Sequence, residues 1–142
     1  MREILFRAWD RNKKMMKKVV EIQMLSPYVY TNVIVEFKEH GRIINDNHLV
    51  GGTDGCDTAI LMQYTGLKDK NGKKIFEGDI LGYKRLGTGK VIATGVVEFS
   101  EEGRYAIRDF DLNLDMVVDA GNFVIGNIYE NLELLKGVND EN

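Results

Sequence analysis

Serine, cysteine and histidine are scarce in this chain. The only serines are Ser26 and Ser100, the only histidines His40 and His48, and the only cysteine Cys56. Neither serine stands in a Gly-x-Ser-x-Gly turn, the sharp bend that exposes a serine nucleophile. Both histidines lie in or beside a polar stretch and are expected at the surface. His48, Asp54, Cys56 and Asp57 are metal-ligand types close in sequence. They lack the paired short spacings of a structural zinc site, so no metal is expected and Cys56 reads as an inert thiol. Asp69-Lys70-Asn71-Gly72 begins like a calcium loop, but its glycine is fourth rather than sixth and its twelfth residue is Ile80 rather than glutamate. Gly89-Lys90 resembles the end of a phosphate loop, yet Val91 follows and Lys84 stands where the first glycine belongs. Glu77 and Asp79 would share a face on a strand. They flank Gly78 just before an apolar run, which suits a turn and strand entry. No catalytic residue, metal ligand or cofactor is expected, and the chain reads as non-enzymatic.

The strongest remaining signal is charge. Lys68, Lys70, Lys73, Lys74 and Arg85, with Lys84 and Lys90 nearby, form a basic stretch beside Phe76 and Tyr83. Small β-barrels bind nucleic acid with such loop cations and aromatics, which makes nucleic-acid binding the alternative function. The overall balance opposes it: net charge is −3 and the isoelectric point about 5.4. Charge alternates along the chain, +5 over residues 1–20, −4 over 21–65, +4 over 66–90 and −8 over 91–142. Complementary patches of this kind suit pairing between subunits, so the leading expectation is binding to a second copy or to another protein.

The elements that must carry these residues are mostly strands. The 142 residues suit one domain. The longest apolar run is four residues, 59–62, far short of a membrane span of ~20. With no secretory leader expected, the cytoplasm is the expected compartment. Residues 2–9 and 15–22 alternate polar and apolar side chains and suggest a hairpin about residues 10–14. Residues 28–37 are rich in β-branched and aromatic types. Residues 38–58 are crowded with Gly, Asn and Asp and predict a loop broken by a short strand at 42–44. Strands are expected at 59–64, 79–84, 90–100, 105–108 and 123–129. Asn71-Gly72 predicts a type I′ hairpin turn. Residues 131–136 predict a helical turn capped by Asn131 and Gly137, with residues 138–142 frayed. Fourteen of the 15 glycines lie at or after Gly51. The pattern as a whole predicts a mainly-β barrel or sandwich.

Three blocks carry a family resemblance. The opening Arg2, Glu3, Ile4, Phe6, Arg7, Ala8, Trp9, Asp10, the central residues 62–83 (MQYTGLKDKNGKKIFEGDILGY) and residues 125–135 (IGNIYENLELL) resemble the YopX family of phage and prophage proteins. Leu132 departs from the proline that the family has before its Glu-Leu-Leu ending. The resemblance implies a mainly-β fold with a small Src-homology-3-like barrel over residues 59–135, an N-terminal β extension and one short C-terminal helical turn. The chain then divides into residues 1–58 as extension and loop, 59–137 as barrel core and 138–142 as tail. No catalytic residue comes with the resemblance. Trp9, Tyr64, Gly66, Asn71, Gly72, Gly78, Asp79, Gly126, Asn127 and Tyr129 are expected to be structural: Trp9 partly buried and anchoring the first strand on the later sheet, Gly66 and Gly72 at positive φ.

Overall fold

The computed structural model describes residues 3–24, 31–51, 57–110 and 112–136. Arg2, Asp54, Cys56, Gly137 and the tail at 138–142 lie outside them, as do residues 28–30 of the third expected strand. The fold is mainly β, as expected. Strands β1 (Phe6–Asp10), β2 (Met15–Met24), β3 (Thr31–Glu39), β4 (Arg42–Val50), β5 (Ala59–Lys68) and β6 (Lys74–Phe76) form one antiparallel sheet, in the order β4-β3-β2-β1-β5-β6. A second antiparallel sheet has the order β10-β7-β8-β9, from β7 (Asp79–Lys84), β8 (Val91–Phe99), β9 (Tyr105–Ile107) and β10 (Phe123–Asn127). Among the described residues, no ladder joins β9 back to β10.

The chain divides into two compact units, Ile4–Gln63 and Met1–Glu3 with Tyr64–Asn142. In the first unit, period-two alternation turns one face of the sheet inward, with Ala8, Val33, Val35, Val50 and Ala59 as its core and Val19 and Leu61 against them. The sheet rolls until residues 57–58, just ahead of β5, reach β4: Gly51 N–H donates to Asp57 at 3.0 Å and His48 Nδ1 lies 2.7 Å from Thr58 Oγ1. Trp9, expected to be partly buried, is only 7% exposed.

One expectation fails here. Residues 42–50 are a full strand rather than a loop with a short strand. β4 pairs with β3 in unbroken register from Glu39↔Arg42 to Thr31↔Val50. Asn45, Asp46 and Asn47 look like turn formers, but Asn45 and Asn47 lie on the strand's exposed face and Asp46, on the other, meets the buried Lys17 ammonium at 3.7 Å. The true two-residue turn is His40-Gly41, with φ of 50° and 78°, between Glu39 and Arg42.

In the second unit the core is Ile75, Leu81, Val97, Ile107, Leu114 and Val117. Leu114 and Val117 come from α1 (Leu114–Asp119), a helix the sequence pattern did not announce. Six residues hold too few turns for a 3.6-residue period to show. A 3-10 turn follows at Leu132–Leu135, as expected, but Asn131 makes no cap to it. Asn131 Oδ1 instead accepts from Asn127 N–H at 3.2 Å.

Asn71-Gly72 sits in a turn of a different type. Gly72 has φ of 80° while Asn71 stays at negative φ, so the turn is not type I′. The bonds Gly72 N–H to Asp69 C=O and Asp69 N–H to Lys73 C=O, both 2.9 Å, make a type I turn closed by a left-handed glycine. A Cβ at Gly72 would meet nothing within 4 Å, so only the backbone conformation forbids a side chain. Gly72→Val is therefore expected to cost about 1–3 kcal/mol, read as a lower urea midpoint; an unchanged midpoint would refute the left-handed assignment.

Candidate functional site

The shared blocks collect polar side chains that capture backbone groups. Asp69 is buried at the end of β5. Its Oδ1 accepts from Asn71 N–H and Lys73 N–H, each at 2.9 Å, and its Oδ2 accepts from Val124 N–H on β10, also at 2.9 Å. One carboxylate thus both shapes the turn and ties it to a strand 55 residues away. Asp79 repeats the device on a smaller scale. Its buried Oδ2 accepts from Phe76 N–H at 2.8 Å, across Gly78. Asn127 Oδ1 accepts from Tyr129 N–H and Glu130 N–H at 3.0 and 2.9 Å. Gly126 leaves room for this corner, since a Cβ there would come 2.6 Å from Asn131 Oδ1. Tyr64 is buried with its ring 5.5 Å from that of Phe76, and Gly66 and Gly78 both have positive φ. The structural residues of the family pattern therefore act as turn anchors and packing.

A second polar cluster lies in the first unit. Asp10 and Lys17 are both 2% exposed, which makes their pairing obligatory. Lys17 Nζ lies 2.5 Å from Asp10 Oδ2 and 3.7 Å from Asp46 Oδ2, and stands 3.9 Å over the Phe37 ring. Asp10 Oδ1 also accepts from Asn12 N–H and Lys13 N–H, both at 2.9 Å, which fixes the β1–β2 turn. His48, expected at the surface, is buried beside this pair. Its Nε2 has no hydrogen-bond partner and lies 3.4 Å from Asp10 Oδ2. Asp10, Asp46 and His48 together offer three ligand atoms within 4.8 Å of one another. The Lys17 ammonium stands between the two carboxylates, 2.5 Å from Asp10 and 3.7 Å from Asp46, so the cluster reads as an internal ionic network. Asp57, a ligand type near His48 in sequence, has its Oδ2 engaged by Gly51 N–H at 3.0 Å.

The basic stretch is divided by the fold. Lys74 pairs with Glu3 at 2.8 Å, while Lys68 and Lys73 are exposed at the β5–β6 hairpin. Lys70 turns onto the Phe123 ring at 4.8 Å. Lys70 and Arg85 line one hollow together with Lys84, Tyr83 and Leu86. Arg85 and Tyr83 also line a neighbouring hollow with Lys90, Lys136 and Phe110. Lys136 and Phe110 lie far from the basic stretch in sequence, so no local signal pointed to them. The largest divergence from the sequence picture is thus the regrouping of the cations around Tyr83.

The YopX protein family model matches residues 5–136, nearly the whole chain. This chain belongs to the YopX family. It is similar to a solved structure, protein EF1440 from Enterococcus faecalis, at 29% identity, with 96% of this chain and 100% of that chain covered and a TM-score of 0.64. The comparison with curated proteins finds no match.

Two predictions follow from the anchors. Asp69→Ala strands three backbone N–H groups and should cost about 2–4 kcal/mol in urea unfolding; a stability loss within error of zero would remove Asp69 from its anchoring role. For Asp10, burial alone raises the carboxyl pKa, but the Lys13 N–H, the Lys17 ammonium and the Asn12 N–H outweigh it, lowering the value from 3.8 to about 2. The unfolded chain then holds the extra proton, so the contribution is full above pH 3.8 and is lost as the pH falls toward 2. Asp10→Asn should flatten this acid limb of a stability–pH curve, and an identical limb would count against the pairing.

Proposed function

We propose that this protein is a non-enzymatic phage or prophage accessory protein of the bacterial cytoplasm, and that it works by binding protein, first of all a second copy of itself. The observation that carries the reading is β4. It ends its sheet, it is nine residues long, and no strand pairs with its outer side among the described residues. Its ladder with β3 carries no bulge. Soluble proteins blunt such edges with bulges, prolines, short strands or charged side chains; β4 has no bulge, proline or lysine, and its only charged residues are Arg42 at its start and Asp46, which faces Lys17. Ile43 and Leu49 stand on its outward face at 63% and 45% exposure, where a partner strand would cover them. The alternation of charge along the chain supplies complementary surfaces for closed symmetric assembly. No helix of the described residues is long and apolar enough to cross a membrane, which fits the reading without bearing on β-barrels.

Sedimentation velocity at tens of micromolar is the test. The expected result is a mass of two or more chains, reduced to one chain by Ile43→Lys with Leu49→Lys. A single-chain mass for the unaltered protein overturns self-association, and an assembly indifferent to both substitutions places it away from β4.

A further inference from the structure

The cations of this chain fall into two groups. Lys17, Lys18, Lys74, Arg104 and Arg108 each have a carboxylate within 4.0 Å. Lys84, Arg85, Lys90 and Lys136 have none among the described residues, and Lys70 is engaged only by the Phe123 ring. Arg11, Lys13, Lys14, Lys38, Arg42, Lys68 and Lys73 likewise have none among the described residues, but it is Lys70, Lys84, Arg85, Lys90 and Lys136 that line the two hollows meeting at Tyr83 and Arg85. No acidic residue lines either hollow. In a chain with net charge −3, such local segregation makes a site for an anion.

The ligand must also use aromatic surface. Tyr83 is 41% exposed and Phe110 44% exposed. The supporting backbone is fixed, because Tyr83 and Lys84 pair with Ile92 and Val91 across the β7–β8 hairpin. Arg85 N–H donates to Lys90 C=O at 2.8 Å and Gly89 N–H to Arg85 C=O at 2.9 Å, which closes the turn that carries the cations. The hollows measure about 350 and 740 Å³, within the range of roughly 300–1,000 Å³ that small-molecule-sized groups occupy. Phosphate groups want guanidinium and ammonium, and unpaired bases want an exposed ring to stack on. A duplex hides its base faces and would leave Tyr83 unused. An acidic peptide would use the cations but not the ring.

We propose that the surface around Tyr83 and Arg85 binds single-stranded nucleic acid. Lys84, Arg85 and Lys90 hold phosphates, and Tyr83 stacks a base. This does not depend on self-association through β4.

The test is fluorescence anisotropy of the full-length protein with a fluorescein-labelled oligothymidylate of about 12 nucleotides. An oligouridylate, a duplex of the same length and a polyglutamate peptide run beside it. The expected result is saturable binding to both single strands that weakens at least about tenfold between 50 and 200 mM salt. Lys84→Glu with Arg85→Glu should weaken it at least about tenfold through lost phosphate contacts. Tyr83→Ala should weaken it about fivefold or more while leaving the salt slope unchanged. Lys38→Glu, an exposed cation on β3, should change nothing. Circular dichroism and urea midpoints confirm that each variant is folded. The proposal is overturned by no saturable binding at low salt, or by an equal loss in Lys38→Glu. Binding of duplex or polyglutamate as tight as that of the single strands, with Tyr83→Ala silent, also overturns it and leaves a general acidic-partner surface.

Discussion

Asp69 is the point on which the second unit turns. Its carboxylate is buried, and three backbone N–H groups from two distant segments converge on it. A buried carboxylate survives only if nearly every lone pair is met, so the turn after β5 and the start of β10 are held to one geometry. The core then follows, because Leu67 comes from β5, Val124 from β10 and Ile75 from β6, all in one apolar cluster. Asp79 and Asn127 capture backbone N–H groups in the same way at other corners. The polar residues of the shared blocks are thus where backbone donors are satisfied, while aliphatic residues supply the bulk of burial.

The β content was legible from runs of β-branched and aromatic residues between turn signals; period-two burial is clear in β3, whereas β7 is buried along four successive residues. β7 was legible to the residue, since Gly78 and Asp79 mark its start and the apolar Ile80 and Leu81 follow. β4 was not, because Asn45 and Asn47 fall on its solvated face while Asp46 is met across the other by Lys17, a residue distant in sequence. The helix α1 was hidden by its length. Gly72 was read correctly as a turn glycine, but its turn type was set by the Asp69 side chain rather than by the Asn-Gly pair. His48 illustrates the general limit. Its burial depends on Thr58 and on Asp10, which is 38 residues away, and a local window carries no trace of either.

The same limit applied to function. The basic stretch was visible as a run of lysines, but a run says nothing about which ammonium groups find carboxylates. Folding sends Lys74 to Glu3 and brings Lys136 beside Lys90. The cations that gather at the hollows come from the last residue of β7, the β7–β8 turn, the β5–β6 turn and the residue after the 3-10 turn. The aromatic that matters, Tyr83, is exposed because it stands near the end of its strand, where the inward-facing pattern Asp79, Ile80, Leu81, Gly82 has run out.

β5 serves both units: Ala59–Gln63 pairs with β1, and the residues from Tyr64 onward pair with β6. For a chain made from its amino terminus, this sets an order of events. The meander of β1 through β4 can form by neighbour-to-neighbour hairpins as soon as it emerges, since those contacts are short in sequence. The outer edge of β1 stays bare until about fifty further residues have been synthesised. During that interval Ala8 and Trp9 have a strand on the β2 side alone. The nascent chain therefore passes through a stage with two open edges, β1 and β4, of which the finished protein keeps only the second.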